Sequence, residues 1–475
     1  MVKSIVRFKL IFILITLLTG CQNQAETAYD IVLTNGTVID LETGTTATLH
    51  IGITDGMIME LISASANIPL KGKVTIDAKG KYILPGFWDN HVHFRGGDSL
   101  ISANKNFLKL FMANGITTVR DAGGDLTKSV MEWKRSIKKG TLVGPTIFTS
   151  GPKIDGMGGT WAGSLTVENE KDIKNALDSL EQIPVDFVKL YDSRISGENY
   201  LKTIKAAEER ALITSGHMPF TVTLDETVHA GIDAIEHLYY VMKGCSFNEV
   251  AVTHKMKSGE IGFWDAMPLL MHSYSDTTAA RAFALLKTNN VYVVPTLHIG
   301  KTLSYLDEEN HTNDAYLKYM NPGIIKTYEG RINRVKNASP ETIANRKKLD
   351  AFFGQLTKSL NDAGVGLLAG SDSGAYNSYT YPGISLHKEL QEMVNKGISP
   401  LEALRTSAYN GAKFLKKDAD YGTLKKGKIA DIVVLNGNPL TLITNTQKIH
   451  YVIKNNTAYS AEQLEQILEI AISNN

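Results

Sequence analysis

Cysteine is nearly absent: the 475 residues contain only Cys21 and Cys245, so a disulfide framework is excluded and stability must come from packing. Charge of one sign is missing as well. Lys and Arg total 50 against 49 Asp and Glu, which leaves no field to draw in a nucleic acid, and none is expected as a partner. The strongly apolar run near the start, Leu10 to Leu18, is too short to span a bilayer comfortably. What remains is ordinary for an enzyme-sized globular chain. With 43% hydrophobic residues, 40 glycines and 13 prolines it can bury a large core, arranged as one large domain and a smaller one.

The first residues read as a processing segment. Lys3, Arg7 and Lys9 precede the apolar run as a basic flank, the pattern of an export signal. Leu18-Thr-Gly-Cys21 then resembles the lipobox of bacterial lipoproteins. That resemblance implies a signal peptide over 1–20, cleavage before Cys21, lipid on its sulfur and a tether over 21–28. It also implies a bacterial cell-envelope location, outer membrane or periplasm, since Gln22 is not the Asp that favours inner-membrane retention. Membrane contact is then through the lipid alone, and Cys245 has no intrachain partner. The sequons at Asn35, Asn310, Asn337 and Asn455 are read as chance in such a protein.

Chemistry enters at Tyr82-Ile-Leu-Pro-Gly-Phe-Trp-Asp-Asn-His-Val-His93, an apolar run ending in two histidines at i and i+2. On a strand these point to the same side, so His91 and His93 can converge on one metal ion. Further potential ligands, Lys189, His217, His237 and Asp372, each sit at or near the end of a short apolar run. The runs Gly86–His93, Ile116–Arg120, Thr146–Ser150, Asp186–Tyr191, Ile213–His217, Ala234–Leu238, Val291–Leu297 and Val365–Ser371 read as strands. Amphipathic segments such as Asn104–Asn114, Asp172–Gln182, Tyr200–Ala211 and Ser385–Lys396 read as helices between them. Eight such units in series predict a (β/α)8 TIM barrel over 83–420, with its site at the C-terminal ends of the strands. Before it, residues 29–82 read as short strands separated by Asn-Gly, Thr-Gly and Asp-Gly hairpin turns. Similar runs return at Ile429–Leu435 and Ile449–Lys454, so 29–82 and 421–475 are expected to pair into one small β-sandwich domain, closed by a helix over Ala461–Ile472.

Several motifs together carry a family resemblance: Leu84-Pro-Gly-Phe-Trp-Asp-Asn-His-Val-His93, Gly115-Ile-Thr-Thr-Val-Arg-Asp-Ala-Gly-Gly124, Asp186-Phe-Val-Lys-Leu-Tyr191, Ile235-Glu-His237, Ala369-Gly-Ser-Asp-Ser-Gly374 and Gly422–Leu435. The chain resembles the metal-dependent amidohydrolase superfamily, most of all its prolidase-like and imidazolonepropionase-like branch, from Tyr29 to about Ala458. The resemblance implies two divalent metal ions, with zinc as the expected element. His91 and His93 would bind the more buried ion, a carbamylated Lys189 would bridge the two, and His217 and His237 would hold the second. Asp372 would bind the first ion and move protons. The expected function is cleavage of a C–N amide bond in a dipeptide or N-acyl amino acid by metal-activated hydroxide.

Residue type alone leaves alternatives. Lys189 is compatible with a barrel-end lysine paired to Asp192 and a single metal, as in hydrolysis of a cyclic amide, lactone or imidazolone ring. Asp372 could cap the turn at Ser371-Asp-Ser-Gly374. A non-catalytic envelope binding protein would have lost ligands, and all six positions hold metal-competent residues. Arg120 and Asp121 read as a structural ion pair. Arg95, Tyr191, Tyr239, Tyr240 and His298 are candidates for substrate contact. The longest loops, Tyr239 to about Asp276 and His298 to about Ala344, are candidates for a partial lid. Many prolidase-like relatives carry a His after strand three, whereas this chain has Gly151-Pro-Lys-Ile-Asp-Gly-Met-Gly-Gly-Thr-Trp161, which puts a dipeptidase substrate in doubt. A homo-oligomer is compatible with the sequence.

Overall fold

The computed structural model describes residues 28–66 and 68–473, so the expected signal peptide, Cys21 and all but the last tether residue lie outside the described residues. Five strands come first: β1 (Ala28–Ile39), β2 (Thr46–Thr54), β3 (Met57–Ser63), β4 (Lys71–Asp77) and β5 (Tyr82–Pro85). The Thr43-Gly44 and Asp55-Gly56 turns join β1 to β2 and β2 to β3 as antiparallel pairs, with Gly44 and Gly56 both at positive φ. The Asn35-Gly36 pair is not a hairpin turn. It lies inside β1 as a bulge, Asn35 at φ 59°, and pairing to β2 continues on both sides of it. At this bulge β1 changes its other neighbour, from β4 before it to β5 after it.

The barrel follows as parallel strands β6 (Phe87–Val92), β7 (Ile116–Asp121), β8 (Thr146–Thr149), β9 (Ile154–Asp155), β10 (Leu165–Thr166), β11 (Val188–Leu190), β12 (Thr214–Gly216), β13 (Ala234–Glu236) and β14 (Tyr292–Val294). β9 continues the third barrel position and pairs with β11, while Asp186 N donates to Thr149 O at 2.9 Å. The eighth position, expected as a strand over Val365–Ser371, is an extended segment bridged to both neighbours at Leu367 and Ser373 without forming a continuous strand. Leu368 N donates to Val293 O at 2.9 Å and Asp372 N to His91 O at 2.7 Å, which closes the ring between β14 and β6. A Cβ at Gly370 would stand 2.5 Å from His91 Cβ, so this segment approaches β6 more closely than a side chain allows.

Helices cover the barrel exterior. Those expected at Asn104–Asn114, Asp172–Gln182, Tyr200–Ala211 and Ser385–Lys396 run over Ile101–Ala113, Glu170–Gln182, Gly197–Glu208 and Ile384–Asn395. Asn169 and Ser196 accept from the backbone N–H groups of Asp172 and Asn199, and these caps fix two of the starts. The chain then returns through β15 (Ile432–Leu435), β16 (Ile449–Lys454) and β17 (Thr457–Ser460), and β15 pairs with β5. The two flanks thus build one small β-sandwich domain around Ile31, Leu33, Ile51, Ile53, Ile432 and Ile453. The final helix, Ala461–Ser473, packs on the helix Ile101–Ala113.

Candidate active site

The pleat of β6 and its exit turn His91 and His93 inward together, and their Nε2 atoms lie 3.2 Å apart. Asp372 reaches them from the eighth barrel position, its Oδ1 3.1 Å from His93 Nε2 and 3.5 Å from His91 Nε2. One ligand atom from each residue lies within 4.8 Å of the others. His217 directly follows β12 and His237 directly follows β13, with ring centroids 4.8 Å apart, and the His237 ring is 5.2 Å from His91. Lys189 is the middle residue of β11 and fully buried. Of the six expected ligands, His91, His93 and Asp372 bring their ligand atoms together, and His217, His237 and Lys189 lie at the ends of or within the neighbouring strands.

A surrounding layer aims these side chains. Nδ1 of His93 faces Gly123 O at 2.9 Å, that of His217 faces Asp192 Oδ1 at 3.0 Å, and that of His237 faces Thr296 Oγ1 at 2.8 Å. With Nδ1 engaged, Nε2 is left for the centre, the arrangement that orients imidazole ligands. Asn377 Nδ2 donates to Asp372 Oδ1 at 2.7 Å. Burial lowers His91, His93 and His217 well below the ordinary imidazole value and His237 to about 3. Burial alone would raise Asp372, but the facing His91, His237, Arg95 and Arg331 outweigh it and hold its carboxyl at about 2. Neutral imidazoles converging on an ionised carboxylate are a donor set that fits a divalent cation. His237 and Asp372 adopt positive φ, 70° and 54°, as does Thr296 at 51°. Left-handed backbone at non-glycine positions is costly, and here it aims two candidate ligands and the partner of one of them.

Two pairings differ from expectation. Lys189 Nζ lies against Glu236 Oε2, not against Asp192, which instead accepts from Tyr240 Oη at 2.8 Å and faces His217. Arg120 does not pair with Asp121. Its guanidinium donates to Glu236 Oε1 at 2.9 Å and Ser215 Oγ at 2.9 Å, while Asp121 accepts from Thr149 Oγ1 at 2.7 Å. The reason is the barrel interior: Arg120 projects across it and reaches the fully buried carboxylate of β13, on the oxygen that Lys189 does not face. Glu236 is the residue that sequence reasoning missed. Its signal was present, a charge in the otherwise apolar Ala234-Ile-Glu236 immediately before a candidate ligand.

Above the ligands opens a cavity of about 680 Å³. Arg95, Tyr191, Tyr239 and Tyr240 line it, and His298 does not. The left-handed turn at Thr296 starts the helix Leu297–Ser304, and His298 N is tied to Glu389 Oε2 at 2.7 Å. The loop that lacks the relatives' His supplies Trp161 to the lining, with the Arg95 guanidinium 4.0 Å from its ring centroid. The two long loops fold largely as helices and contribute Phe263, Trp264 and Arg331. No local pattern pointed to Arg331, which reaches the site from far along the chain, while Asn377 lies only five residues past Asp372 and was not singled out.

Comparison with known proteins agrees with this architecture. The amidohydrolase family matches residues 82–458. An adenine deaminase of Geobacillus kaustophilus is 32% identical over 94 residues, a segment covering 20% of this chain and 15% of that enzyme. Ochratoxinase of Aspergillus niger is 21% identical over 443 residues, covering 81% of this chain and 76% of that protein. Among solved structures, bottromycin amidohydrolase superposes with a TM-score of 0.73 at 19% identity, covering 93% of this chain and 89% of that one. With the family matched over most of its length and the barrel-plus-sandwich fold in place, the chain belongs to the amidohydrolase family.

Proposed function

We propose that the protein is a metal-dependent hydrolase cleaving the C–N amide bond of a dipeptide or N-acyl amino acid. The observation that carries this reading is the cluster of His91, His93 and Asp372 with His217 and His237 beside it, where His93, His217, His237 and Asp372 line a cavity of substrate size and Lys189 lies buried next to Glu236. Two divalent ions, zinc by donor type, would be held by these side chains and would lower the pKa of water and polarise the scissile carbonyl. Burial holds the Lys189 amine far below its ordinary value, and a neutral amine is the form that adds carbon dioxide to become a carbamate ligand. Arg120, bound to the other oxygen of Glu236, lessens that carboxylate's claim on Lys189. Asp372 stays ionised through the neutral range, so it accepts the proton of the attacking water and delivers it to the departing nitrogen. Asn377 keeps its carboxylate in place.

The lipobox-like Leu18-Thr-Gly-Cys21 supports a lipid-anchored position in a bacterial cell envelope. Among the described residues, no helix is long and apolar enough to cross a membrane. The deciding experiment is elemental analysis of protein purified with bicarbonate, wild type against Lys189→Ala, together with turnover of a dipeptide and N-acyl amino acid panel. About two metals per chain, falling to one or fewer in the variant with turnover lost, is the expected result. A single metal unaffected by Lys189→Ala would refute the bridging carbamate and favour one-metal ring opening.

A further inference from the structure

Three basic side chains beside the candidate ligands lack an ion-pair partner. Arg95 and Lys153 are buried and Arg331 is half-buried, yet none has a carboxylate within ion-pair distance among the described residues. Arg95 spends its Nε on Ala375 O at 2.9 Å and stacks over Trp161. Lys153 Nζ has no hydrogen-bond partner and sits 4.8 Å from the centroid of the same indole. Arg331 donates to Asn377 Oδ1 at 2.6 Å. The negative group they share is Asp372, whose Oδ1 is already committed to His91, His93 and Asn377. Desolvated cations are costly unless an anion meets them, and Arg95 and Arg331 both face the open cavity.

Part of the cavity has an aromatic lining. Phe220, Tyr239, Phe263, Leu349 and Phe353 line it, with Tyr239 packed 5.3 Å from Phe263 and 4.9 Å edge-on to Phe353, and Phe220 4.8 Å from Phe263. Such a wall offers stacking and apolar burial and few polar partners.

We infer that the cavity selects a substrate that carries both a carboxylate, held by Arg95 and Arg331 beside Asp372, and a bulky aromatic group, packed on the Phe220–Tyr239–Phe263–Phe353 wall. The inference rests on the amide-hydrolase reading for the bond that is cut, but the binding it describes is separable from turnover.

The test is calorimetric binding of 3-phenylpropanoate and of its neutral isostere 3-phenylpropanamide to the metal-loaded and the metal-stripped protein. The carboxylate should bind about 30-fold more tightly in both forms, the worth of charge-assisted hydrogen bonds. Arg331→Leu should shrink that ratio to within about threefold and Arg331→Lys should restore part of it, while Phe353→Ala should weaken both ligands by about tenfold. Equal affinity of acid and amide in the wild type would overturn the inference. So would a preference that disappears on metal removal or survives Arg331→Leu, because the metal alone would then hold the carboxylate. Binding as expected with no turnover of an N-acylphenylalanine would leave this inference standing and reject the amide-hydrolase reading.

Discussion

Arg120→Met removes one arm of the buried Arg120–Glu236–Lys189 charge cluster in the barrel interior. Arg120 is 1% exposed and Glu236 0%, and the guanidinium binds Glu236 Oε1, Ser215 Oγ and the carbonyl of Asn90. Removing Arg120 leaves a carboxylate in a low-dielectric interior with only Lys189 against it, at a cost of about 3 kcal/mol. Replacing both Arg120 and Glu236 by apolar residues of similar volume is often neutral, so Arg120→Met/Glu236→Met should lose less than about 2 kcal/mol. The cycle of single and double variants should therefore show a coupling of roughly 3 kcal/mol or more. Urea unfolding of metal-stripped protein, followed by tryptophan fluorescence, measures it free of the stabilisation that bound metal adds. A loss below about 1 kcal/mol for Arg120→Met, or a double variant equal to the sum of the singles, would refute the account. The single variant has a second expected effect. With Arg120 gone, Lys189 becomes the remaining cation against Glu236 and is held as an ammonium, so bicarbonate-dependent metal uptake should fall.

Glu389 is fully buried, and burial pushes its carboxyl up to about 8. Between the ordinary Glu value and that value the folded chain keeps a proton that the unfolded chain has released, so stability falls as pH rises through this window, by up to about 1.4 kcal/mol per pH unit. Glu389→Gln should flatten the difference between unfolding midpoints at pH 5 and pH 8, and an unchanged difference would show that Glu389 is not its source. At Gly216 a Cβ would stand 2.2 Å from Leu190 O, a backbone atom of the paired strand. Gly216→Ala should therefore cost about 3 kcal/mol or more, or yield insoluble protein. Gly330→Ala, within the helix Glu329–Lys336 and with nothing within 4 Å, should be neutral or stabilise by up to about 1 kcal/mol. Thermal scans that rank the two glycine variants the other way would contradict the packing at β11 and β12.

Much of the fold was legible because its signals are local. Short apolar runs separated by amphipathic ones announced the barrel, and seven of the eight expected runs contain a strand. The run at Val365–Ser371 is instead an extended segment, since glycine-permitted closeness to β6 and the left-handed Asp372 break a regular ladder. Asn35-Gly36 looked like a hairpin turn and is a bulge, because the residues on both sides pair with the same strand, which no local window reveals. His298 lay next to a strand end and was read toward the cavity. Thr296 turns the chain into a helix there, and Glu389, distant in sequence, anchors its start.

The sequence by itself determined which side chains reach the catalytic end of the barrel. Strand alternation and strand length decide that His91 and His93 point inward together and that His217 and His237 follow their strands. Only the tertiary structure decided what those side chains meet. Glu236 between Arg120 and Lys189, Arg331 on Asn377, and one cavity lined by both aromatic rings and the guanidiniums of Arg95 and Arg331 all join residues far apart in the chain. Electrostatics and packing act through space at a few ångströms, whereas the periodicities that a sequence displays act only between near neighbours along it.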